Sequence, residues 1–363
     1  MVAVSAHSFR YNETVTALIV VDAMGGDYAP DAIVKGVAAA SNDVDARLVL
    51  VGDPVRIRSI LDSSEHRADR IEILQADGAI AMDATPREAL AAQPQASLPV
   101  AARFVAATPE SALVSAGNTG AVILACAEAF PRIRGIPRAA LAAVVPTERR
   151  RGEKDDPFSL ILDVGATVRA RTEDLVGFAL MGSAYAEIIS RNQRPRVALL
   201  SNGSEPNKGT DEIVAAHARL STLPNLEFIG NVEGVDIPRG TADVVICDGF
   251  TGNIVLKMLE GVSETVMNLA RFAYRESLQY KVAIALLSKG IKELKGVTDW
   301  QQYGGAPILG FERPCIKAHG RSSDRAIKNA VKVAARCIAQ DLPQLIQHRM
   351  AETPARRSIP PGA

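Results

Sequence analysis

The chain has 363 residues, of which 47% are hydrophobic and only 4% aromatic, and its 41 Lys and Arg balance its 41 Asp and Glu. This length allows one large or two medium domains. The zero net charge argues against nucleic acid as a partner, because nucleic-acid-binding domains usually carry a basic excess. A composition rich in Ala, Val and Gly favours an α/β protein over an all-β protein.

The four cysteines, Cys126, Cys247, Cys315 and Cys337, are widely separated and lie in apolar segments. This spacing matches neither a metal site nor a disulfide framework, and it is typical of reduced, buried thiols in the cytoplasm. No signal peptide and no run of about 18 apolar residues is recognisable. We therefore expect a cytoplasmic protein whose contact with a membrane, if any, is peripheral.

Residues 1–16 show no sustained period and are expected to form a flexible tail, as are residues 349–363. Between them, a single domain over 17–348 alternates short apolar runs with helical patterns, beginning with a strand at 17–22 and a helix near Pro30. This alternation predicts a three-layer α/β/α fold around a mostly parallel sheet. The other strands are expected near 47–51, 71–74, 112–115, 139–145, 159–163, 197–200, 227–230 and 242–247.

Three further segments carry specific expectations. The Ala-rich stretch 85–107 is expected to be helical and broken by Pro94 and Pro99. The charged stretch 149–157 is expected to be an exposed loop, and 323–347 to be one amphipathic helix.

Polar loops containing glycine follow the predicted strands, at 22–30, 115–120, 163–167, 201–210 and 248–253. Ligands of parallel α/β sheets bind outside the carboxyl ends of the strands. Since such ends share one edge of the sheet, we expect these loops to form one common site.

The loop 201–210 connects a buried strand to a helical pattern and retains two charges, Glu205 and Lys208. An ordinary strand-to-helix turn with good capping residues explains this composition. A lysine beside the unpaired N–H groups of a helix start also suits an anion. His319, before the last helical pattern, is open to two interpretations: a base or phosphate donor, or a residue that bridges loops.

The loops contain no Walker motif, no complete G-x-G-x-x-G after a strand and no G-x-S-x-G elbow. Asp22, Asp163 and Asp248 each stand near a glycine at a strand end, and we interpret them as organisers of loop amides rather than metal ligands. The remaining side chains are neutral or cationic donors, which suit a bound anion and charge that develops on oxygen. If this anion is the nucleophile, no catalytic Ser or Cys is needed. These donors are Asn118, Thr119, Lys208, Asn253 and His319.

Seven motifs, in the same order along the chain, resemble those of the phosphate acyltransferase (PlsX) family. They are Asp22-Ala-Met-Gly-Gly-Asp-Tyr-Ala-Pro30, Ser115-Ala-Gly-Asn-Thr-Gly120, Asp163-Val-Gly-Ala166, Gly203-Ser-Glu-Pro-Asn-Lys-Gly209, Cys247-Asp-Gly-Phe-Thr-Gly-Asn253, Tyr303-Gly-Gly-Ala306 and Lys317-Ala-His-Gly320. Each motif alone is weakly specific, whereas seven in register over about residues 17–347 are specific.

The resemblance implies transfer of a long-chain acyl group from acyl carrier protein to inorganic phosphate, which gives an acyl phosphate for phospholipid synthesis. It implies a homodimer with an isocitrate/isopropylmalate-dehydrogenase-like fold, without a metal or organic cofactor. A membrane glycerol-3-phosphate acyltransferase is the implied consumer of the product.

The resemblance also implies the site. Catalytic roles fall to Lys208, His319 and Asn118, with Lys208 holding the attacking phosphate. The implied substrate-binding residues are Gly25, Gly26, Asp27, Gly117, Thr119, Gly120, Asp163, Glu205, Gly209, Asp248, Gly249, Thr251, Asn253, Gly304 and Gly305.

The segment 279–295 forms a basic amphipathic pattern within a helical hairpin expected at about 261–296. Such a helix either packs against a neighbour or lies on an anionic surface. The resemblance places membrane contact here, through Ile284, Leu287 and Ile291.

Three rival functions remain open: a phosphotransacetylase that uses acyl-CoA, a dehydrogenase of related fold, and a non-enzymatic scaffold for carrier protein at the membrane. A dehydrogenase would need a cluster of carboxylates that binds a metal and a dinucleotide-binding loop, and neither pattern is present in the sequence. Acyl carrier protein is acidic, so its docking needs a basic patch, for which Arg132, Arg134, Arg138 and 149–151 are candidates.

Overall fold

The computed structural model describes residues 17–151, 156–276, 279 and 304–352. The strands are β1 (Leu18–Asp22), β2 (Arg47–Gly52), β3 (Ile71–Gln75), β4 (Ser111–Ser115), β5 (Ala140–Arg151), β6 (Asp156–Leu162), β7 (Arg196–Leu200), β8 (Glu227–Val232), β9 (Val244–Ile246), β10 (Ala306–Leu309) and β11 (Cys315–Lys317). The helices are α1 (Asp31–Ser41), α2 (Pro54–Asp62), α3 (Pro86–Ala92), α4 (Ser97–Ala107), α5 (Thr119–Ala129), α6 (Thr172–Ser190), α7 (Asp211–Leu220), α8 (Asp236–Arg239), α9 (Gly249–Glu276), α10 (Asp324–Ala339) and α11 (Leu342–Ala351).

These strands form one sheet in the order β3-β2-β1-β4-β11-β10-β5-β6-β9-β7-β8. Side chains alternate between its two faces, so that Ile19 and Val21 enter one apolar core and Val20 enters another. Helices α1, α2, α6, α7, α10 and α11 cover the first core, whereas α3, α4, α5, α8 and the start of α9 cover the second. The predicted three-layer arrangement with a mostly parallel sheet is confirmed.

The two halves of the sheet run in opposite directions. Strands β1 to β4 and β11 are mutually parallel, and so are β6 to β9, but β10 is antiparallel to both of its neighbours and β5 is antiparallel to β6. The expectation that all five strand-end loops share one edge is therefore wrong. The connections between β5 and β6 and between β10 and β11 are too short for a parallel crossover, so both pairs must be antiparallel.

The twist of a sheet reduces the angle between the strand directions of the two halves. Five strand intervals lie between β4 and β9, and at about 20–25° each they rotate one strand relative to the other by roughly 100–125°. We therefore expect the carboxyl ends of the two halves to be inclined to each other rather than diametrically opposed.

Three local expectations are corrected by backbone chemistry. Pro99 does not break the predicted helix, because it lies in the first turn of α4, where N–H groups have no intrahelical acceptor. The charged stretch at 149–157 contributes to strands, with Arg151 paired to Asp156. The final helix is two helices, because Asp341 adopts a left-handed conformation (φ 43°) between α10 and α11.

Helix α9, with 28 residues, changes its surroundings along its length. Val255, Leu256 and Leu259 pack against the second core, whereas residues 261–272 are exposed. No helix within the described ranges is long and apolar enough to cross a membrane. Most of 279–295, including Ile284, Leu287 and Ile291, lies outside the described residues.

Helices α1 and α10 approach closely at Gly36. A Cβ at this position would lie 2.6 Å from the Asp324 carbonyl oxygen and 2.6 Å from the Ile327 Cβ. Both atoms belong to α10, one in its backbone and one in the fully buried Ile327, so neither atom moves away cheaply. The close approach of the two helices therefore depends on this glycine.

We expect Gly36→Ala to destabilise the fold by about 1–2 kcal/mol, since overpacking outweighs the helix propensity of alanine. Urea unfolding monitored by circular dichroism measures this change. Gly234→Ala is the control, because a Cβ at Gly234 meets nothing within 4 Å. Equal stabilities of the two variants would contradict the predicted close approach.

Candidate functional site

The loops 22–30, 115–120 and 317–322 meet at the carboxyl ends of β1, β4 and β11, and we call them the first loop cluster. Asp22 and Lys317 are both aligned with Ser115 in the strand register. The Ser97 hydroxyl donates to Asp22 Oδ1 at 2.6 Å, and the Ser115 hydroxyl donates to Oδ2 at 2.7 Å. Burial raises the pKa of Asp22, while these hydrogen bonds oppose that effect. The carboxylate thus organises the loops, as predicted for this residue type.

Backbone segments of the first loop cluster are in close contact. A Cβ on Gly25 would lie 2.3 Å from Asp22 Oδ2 and 3.0 Å from the Gly117 Cα, so only glycine fits there. The Asp27 N–H donates to the Gly320 carbonyl at 2.8 Å. The structure therefore brings Gly25, Asp27 and Gly117 together as predicted, and Gly26 lies against Ala116 in the same contact.

The Asn118 side chain caps α5. Its Oδ1 accepts from the Ala121 N–H at 3.0 Å, and its Nδ2 donates to the carbonyls of Met82 at 2.9 Å and Ala84 at 3.2 Å. The amide therefore ties a neighbouring loop to the helix start, and its catalytic role stays a prediction. Thr119 and Gly120 form the first turn of α5, where backbone N–H groups precede the first intrahelical acceptor.

Lys317 was not among the predicted site residues, although it begins one of the seven motifs. It is only 6% exposed, and its Nζ donates to the carbonyls of Ala116, at 3.5 Å, and Ala318. Burial lowers its pKa to about 8, while Asp22 and Asp27 act in the opposite direction. A lysine at the end of an apolar run was the available signal, because such a residue is costly to bury.

His319 lies at the exposed side of the first loop cluster. The Arg321 N–H donates to its Nδ1 at 3.1 Å, so the proton of the neutral ring is on Nε2. Burial of part of the ring and the charge of Lys317 lower the pKa of His319, and Lys257 and Glu260 of α9 also act on it. This tautomer makes the ring a hydrogen-bond donor at Nε2 near neutral pH.

The loops 163–167, 201–210 and 248–253 follow β6, β7 and β9, and we call them the second loop cluster. Asp163 is fully buried, and its two oxygens accept four backbone N–H groups, at 2.9 Å from Leu141, 3.1 Å from Gly165, 3.0 Å from Ala166 and 2.7 Å from Thr167. The carboxylate therefore shapes the loop, in line with the structural interpretation. Its contact with substrate stays a prediction.

The start of α9 packs directly on that loop. Asp248 caps the helix, because its carboxylate accepts from the Thr251 N–H at 2.9 Å and from the Thr251 hydroxyl at 2.8 Å. A Cβ on Gly252 would lie 1.9 Å from the Asp163 carbonyl oxygen, and Gly249 is similarly close to Thr167. These predicted residues are thus brought together, with the Asn253 side chain exposed beside them.

Lys208 is exposed on the loop after β7. Its N–H donates to the Glu205 carbonyl at 3.1 Å, and both side chains fold over Gly203, where a Cβ would lie 2.8 Å from Lys208 Cγ and 2.9 Å from Glu205 Oε2. Asn231, which was not predicted, is buried and donates to the Glu205 carbonyl at 2.8 Å. The loop is thus anchored, and Gly209 connects it to α7.

The first turn of α7 contains Asp211 and Glu212. Carboxylates there already interact with the positive end of the helix, and hydrogen bonds from its own backbone and from Thr210 lower the pKa of Glu212. The helix start that follows Lys208 is consequently less suited to a further anion than the sequence alone indicated. The cation in this loop is Lys208 itself.

The predicted site residues therefore fall into two groups. Asn118 and His319 belong to the first loop cluster, whereas Lys208 and Asn253 belong to the second, on oppositely directed strands. Gly304 and Gly305 precede β10; Gly305 packs on the first group, against the Lys317 carbonyl, whereas Gly304 packs against Asn329 of α10. Within the described ranges, no group of three or more His, Cys, Asp or Glu residues is arranged to hold a metal ion.

All four cysteines are buried, as predicted. Burial raises the pKa of Cys126, Cys247 and Cys337, in the last case to about 12. Because the thiolate is the nucleophilic form, these thiols are poorly suited to covalent catalysis.

A model of the fatty acid synthesis protein family matches residues 17–345. The chain belongs to this family. Relatives named phosphate acyltransferase are 42% identical over 341 residues in Moorella thermoacetica and 40% identical over 335 residues in Bacillus subtilis (strain 168). Both alignments cover 92% of this chain and 98% of the relative. The resemblance inferred from the seven motifs is confirmed, and so are the expectations of an enzyme and of acyl transfer to phosphate.

Solved structures of phosphotransacetylases share the family's fold. The enzyme from Streptococcus pyogenes matches with a TM-score of 0.59 at 15% identity, over 89% of this chain and 94% of its own. EutD phosphotransacetylase from Staphylococcus aureus matches with a TM-score of 0.54 at 14% identity, over the same shares of the two chains. At this identity the similarity shows the fold alone.

Proposed function

We propose that this enzyme transfers a long-chain acyl group from acyl carrier protein to inorganic phosphate and releases an acyl phosphate for phospholipid synthesis. The observation that carries this proposal is that residues 17–345 match the fatty acid synthesis protein family and that the relatives are named phosphate acyltransferase. The preference for carrier protein over coenzyme A as acyl donor comes from the resemblance.

We propose that bound phosphate attacks the thioester directly. A phosphate oxygen forms the new bond to the acyl carbon, the carbon–sulfur bond breaks, and the thiolate leaves with the electron pair. The four buried cysteines support a route without a cysteine acyl-enzyme. Lys208 then orients the phosphate, and the Nε2–H of His319 donates to the carbonyl oxygen or to the leaving sulfur.

This mechanism requires both loop clusters to face one cleft. One observation supports this arrangement, since Lys257 and Glu260 of α9 act on the pKa of His319. The usual twist of a sheet, taken over the five intervals between β4 and β9, would also incline the two carboxyl edges toward each other. Helix α9 starts in the second loop cluster and extends toward the first, so it links the two groups of predicted residues. The isocitrate/isopropylmalate-dehydrogenase-like fold, which the resemblance implies, stays a proposal.

We expect Lys208→Ala to reduce acyl-phosphate formation from palmitoyl carrier protein and phosphate by about 100-fold, since it removes the cation that orients the anion. The assay measures acyl phosphate as its hydroxamate. Lys35→Ala, which changes an exposed lysine of α1, is the matched control. Near-normal turnover of Lys208→Ala at saturating phosphate would exclude the assigned role.

The same assay separates the rival functions. Equal use of palmitoyl-CoA would favour a phosphotransacetylase. A palmitoyl carrier thioester that persists whether or not phosphate is present would favour a scaffold. A burst of free carrier-protein thiol without phosphate would reveal an acyl-enzyme and contradict direct attack.

We propose that α9 pairs with a second copy of the chain in a homodimer. Ile254, Met258, Val262, Val266 and Leu269 form an apolar stripe along one face, with 51–66% of each residue exposed. A stripe of this length on a protruding helix is suited to packing against its own symmetry mate.

We expect the double variant Val266→Glu and Leu269→Glu to be monomeric, because it places charges within this apolar stripe. Analytical ultracentrifugation measures the mass. Val55→Glu, at a residue 78% exposed on α2, should leave the dimer intact. A double variant with the mass of the wild-type dimer would remove α9 from the interface.

We propose that the cytoplasmic dimer contacts the membrane peripherally through 279–295, where it can pass acyl phosphate to a glycerol-3-phosphate acyltransferase. The support is the basic amphipathic pattern of this segment, with Ile284, Leu287 and Ile291 on its apolar face.

We expect Leu287→Glu to weaken sedimentation with vesicles of phosphatidylglycerol and phosphatidylcholine, since a carboxylate opposes both insertion and the anionic surface. Val55→Glu adds the same charge elsewhere and should bind like the wild type. Unchanged sedimentation of Leu287→Glu would eliminate this contact.

A further inference from the structure

Lys317 is a buried cation at the base of the first loop cluster, where β11 ends. It is the last residue of β11, is 6% exposed and is aligned with Ser115, which in turn is aligned with Asp22. A lysine in such a place is unfavourable for the fold unless its ammonium is well supplied with acceptors. Its acceptors therefore indicate what the residue does.

The Lys317 ammonium joins two loops. It donates to the carbonyls of Ala116 and Ala318, which stand directly before Gly117 and His319. The Ala318 N–H also donates to the Ser115 carbonyl at 2.9 Å, so the two strand ends are held together on both sides of the lysine. Displacement of the ammonium would thus disturb both loops at once.

Charges from each packed element act on Lys317. Asp22 at the end of β1 and Asp27 in the next loop favour its charged form, as does Cys315 on its own strand, whereas burial opposes it. His319 in the following loop is affected in turn, because the Lys317 charge lowers its pKa. With a pKa of about 8, Lys317 is cationic at neutral pH and loses its charge under mildly alkaline conditions.

We propose that Lys317 is a positioning residue for acyl transfer, whose buried ammonium fixes the Ala116 and Ala318 carbonyls and thereby positions the loop 117–120 and the His319 ring. This role rests on the proposed function, since it assigns those two groups to the reacting phosphate and thioester. The ammonium does not touch substrate. It keeps the donors in place, and its charge adds to the effect of burial in lowering the pKa of His319, which favours the neutral ring with a proton on Nε2.

The matched variants are Lys317→Met, which keeps the length of the side chain without its charge, and Lys332→Met, on an exposed face of α10 beside Asp43. We expect Lys317→Met to lower kcat by about 100-fold through misplacement of the donors. Its melting temperature should equal or exceed that of the wild type near pH 7, because a poorly solvated charge is removed. Lys332→Met should retain wild-type kcat.

The pH profile separates this role from simple packing. Below pH 8 the ammonium is charged and the loops are held, so wild-type kcat should fall as pH rises through about 8. Lys317→Met should lack this alkaline limb and remain uniformly slow. A kcat of Lys317→Met within threefold of the wild type would overturn the inference.

A measurement on the wild type does not depend on the variant. The chain has five histidines, and the His319 ring signal in a ¹⁵N spectrum can be assigned with His319→Gln. We expect this signal to show a second inflection near pH 8, as Lys317 deprotonates, and its absence would overturn the inference. A wild-type enzyme without acyl-phosphate product would instead overturn the proposed function.

Discussion

The reversal of strand direction at β10 and β5 is the constraint on which the rest of the structure depends. It divides an eleven-stranded sheet into two parallel halves, so that glycine loops of similar sequence emerge at differently directed edges. Within each half the strands are parallel, so the loops of each set leave the sheet in the same direction. Helix α9 starts on the second loop cluster, and its Lys257 and Glu260 act on the pKa of His319 in the first.

Each loop cluster is built on a buried aspartate. Asp22 accepts from two serine hydroxyls, and Asp163 accepts from four backbone N–H groups. Truncating a buried, hydrogen-bonded carboxylate leaves these donors unpaired, which typically costs about 1–3 kcal/mol for each group. These hydrogen bonds hold part of each loop cluster in place. Donors held in place suit a reaction in which charge develops on a carbonyl oxygen, because little reorganisation is then needed.

The chemistry proposed for the family requires little from side-chain nucleophiles. The thiols are buried, and the Ser115 hydroxyl donates to Asp22 rather than to a histidine. The site instead contains two lysines that differ in burial: Lys208 is exposed on a loop, and Lys317 is buried at the end of β11. Burial changes what a lysine can do. An exposed ammonium can bind a soluble anion directly, whereas a buried ammonium acts through the groups to which it donates hydrogen bonds.

Much of the fold is predictable from local pattern, because apolar runs such as 17–22 and glycine loops such as 115–120 report strands and their ends directly. The seven motifs likewise determine the family. The direction of β10 relative to β5 depends on pairing between distant segments, which periodicity does not encode. The same holds for the contacts of Lys317 with the Ala116 carbonyl and of Asn231 with the Glu205 carbonyl, because each joins residues that are distant in sequence. Sequence alone therefore determined the family and most of the elements, and it predicted the reacting groups. Tertiary structure decided which of those groups share an edge and which charges are buried, because both depend on long-range packing.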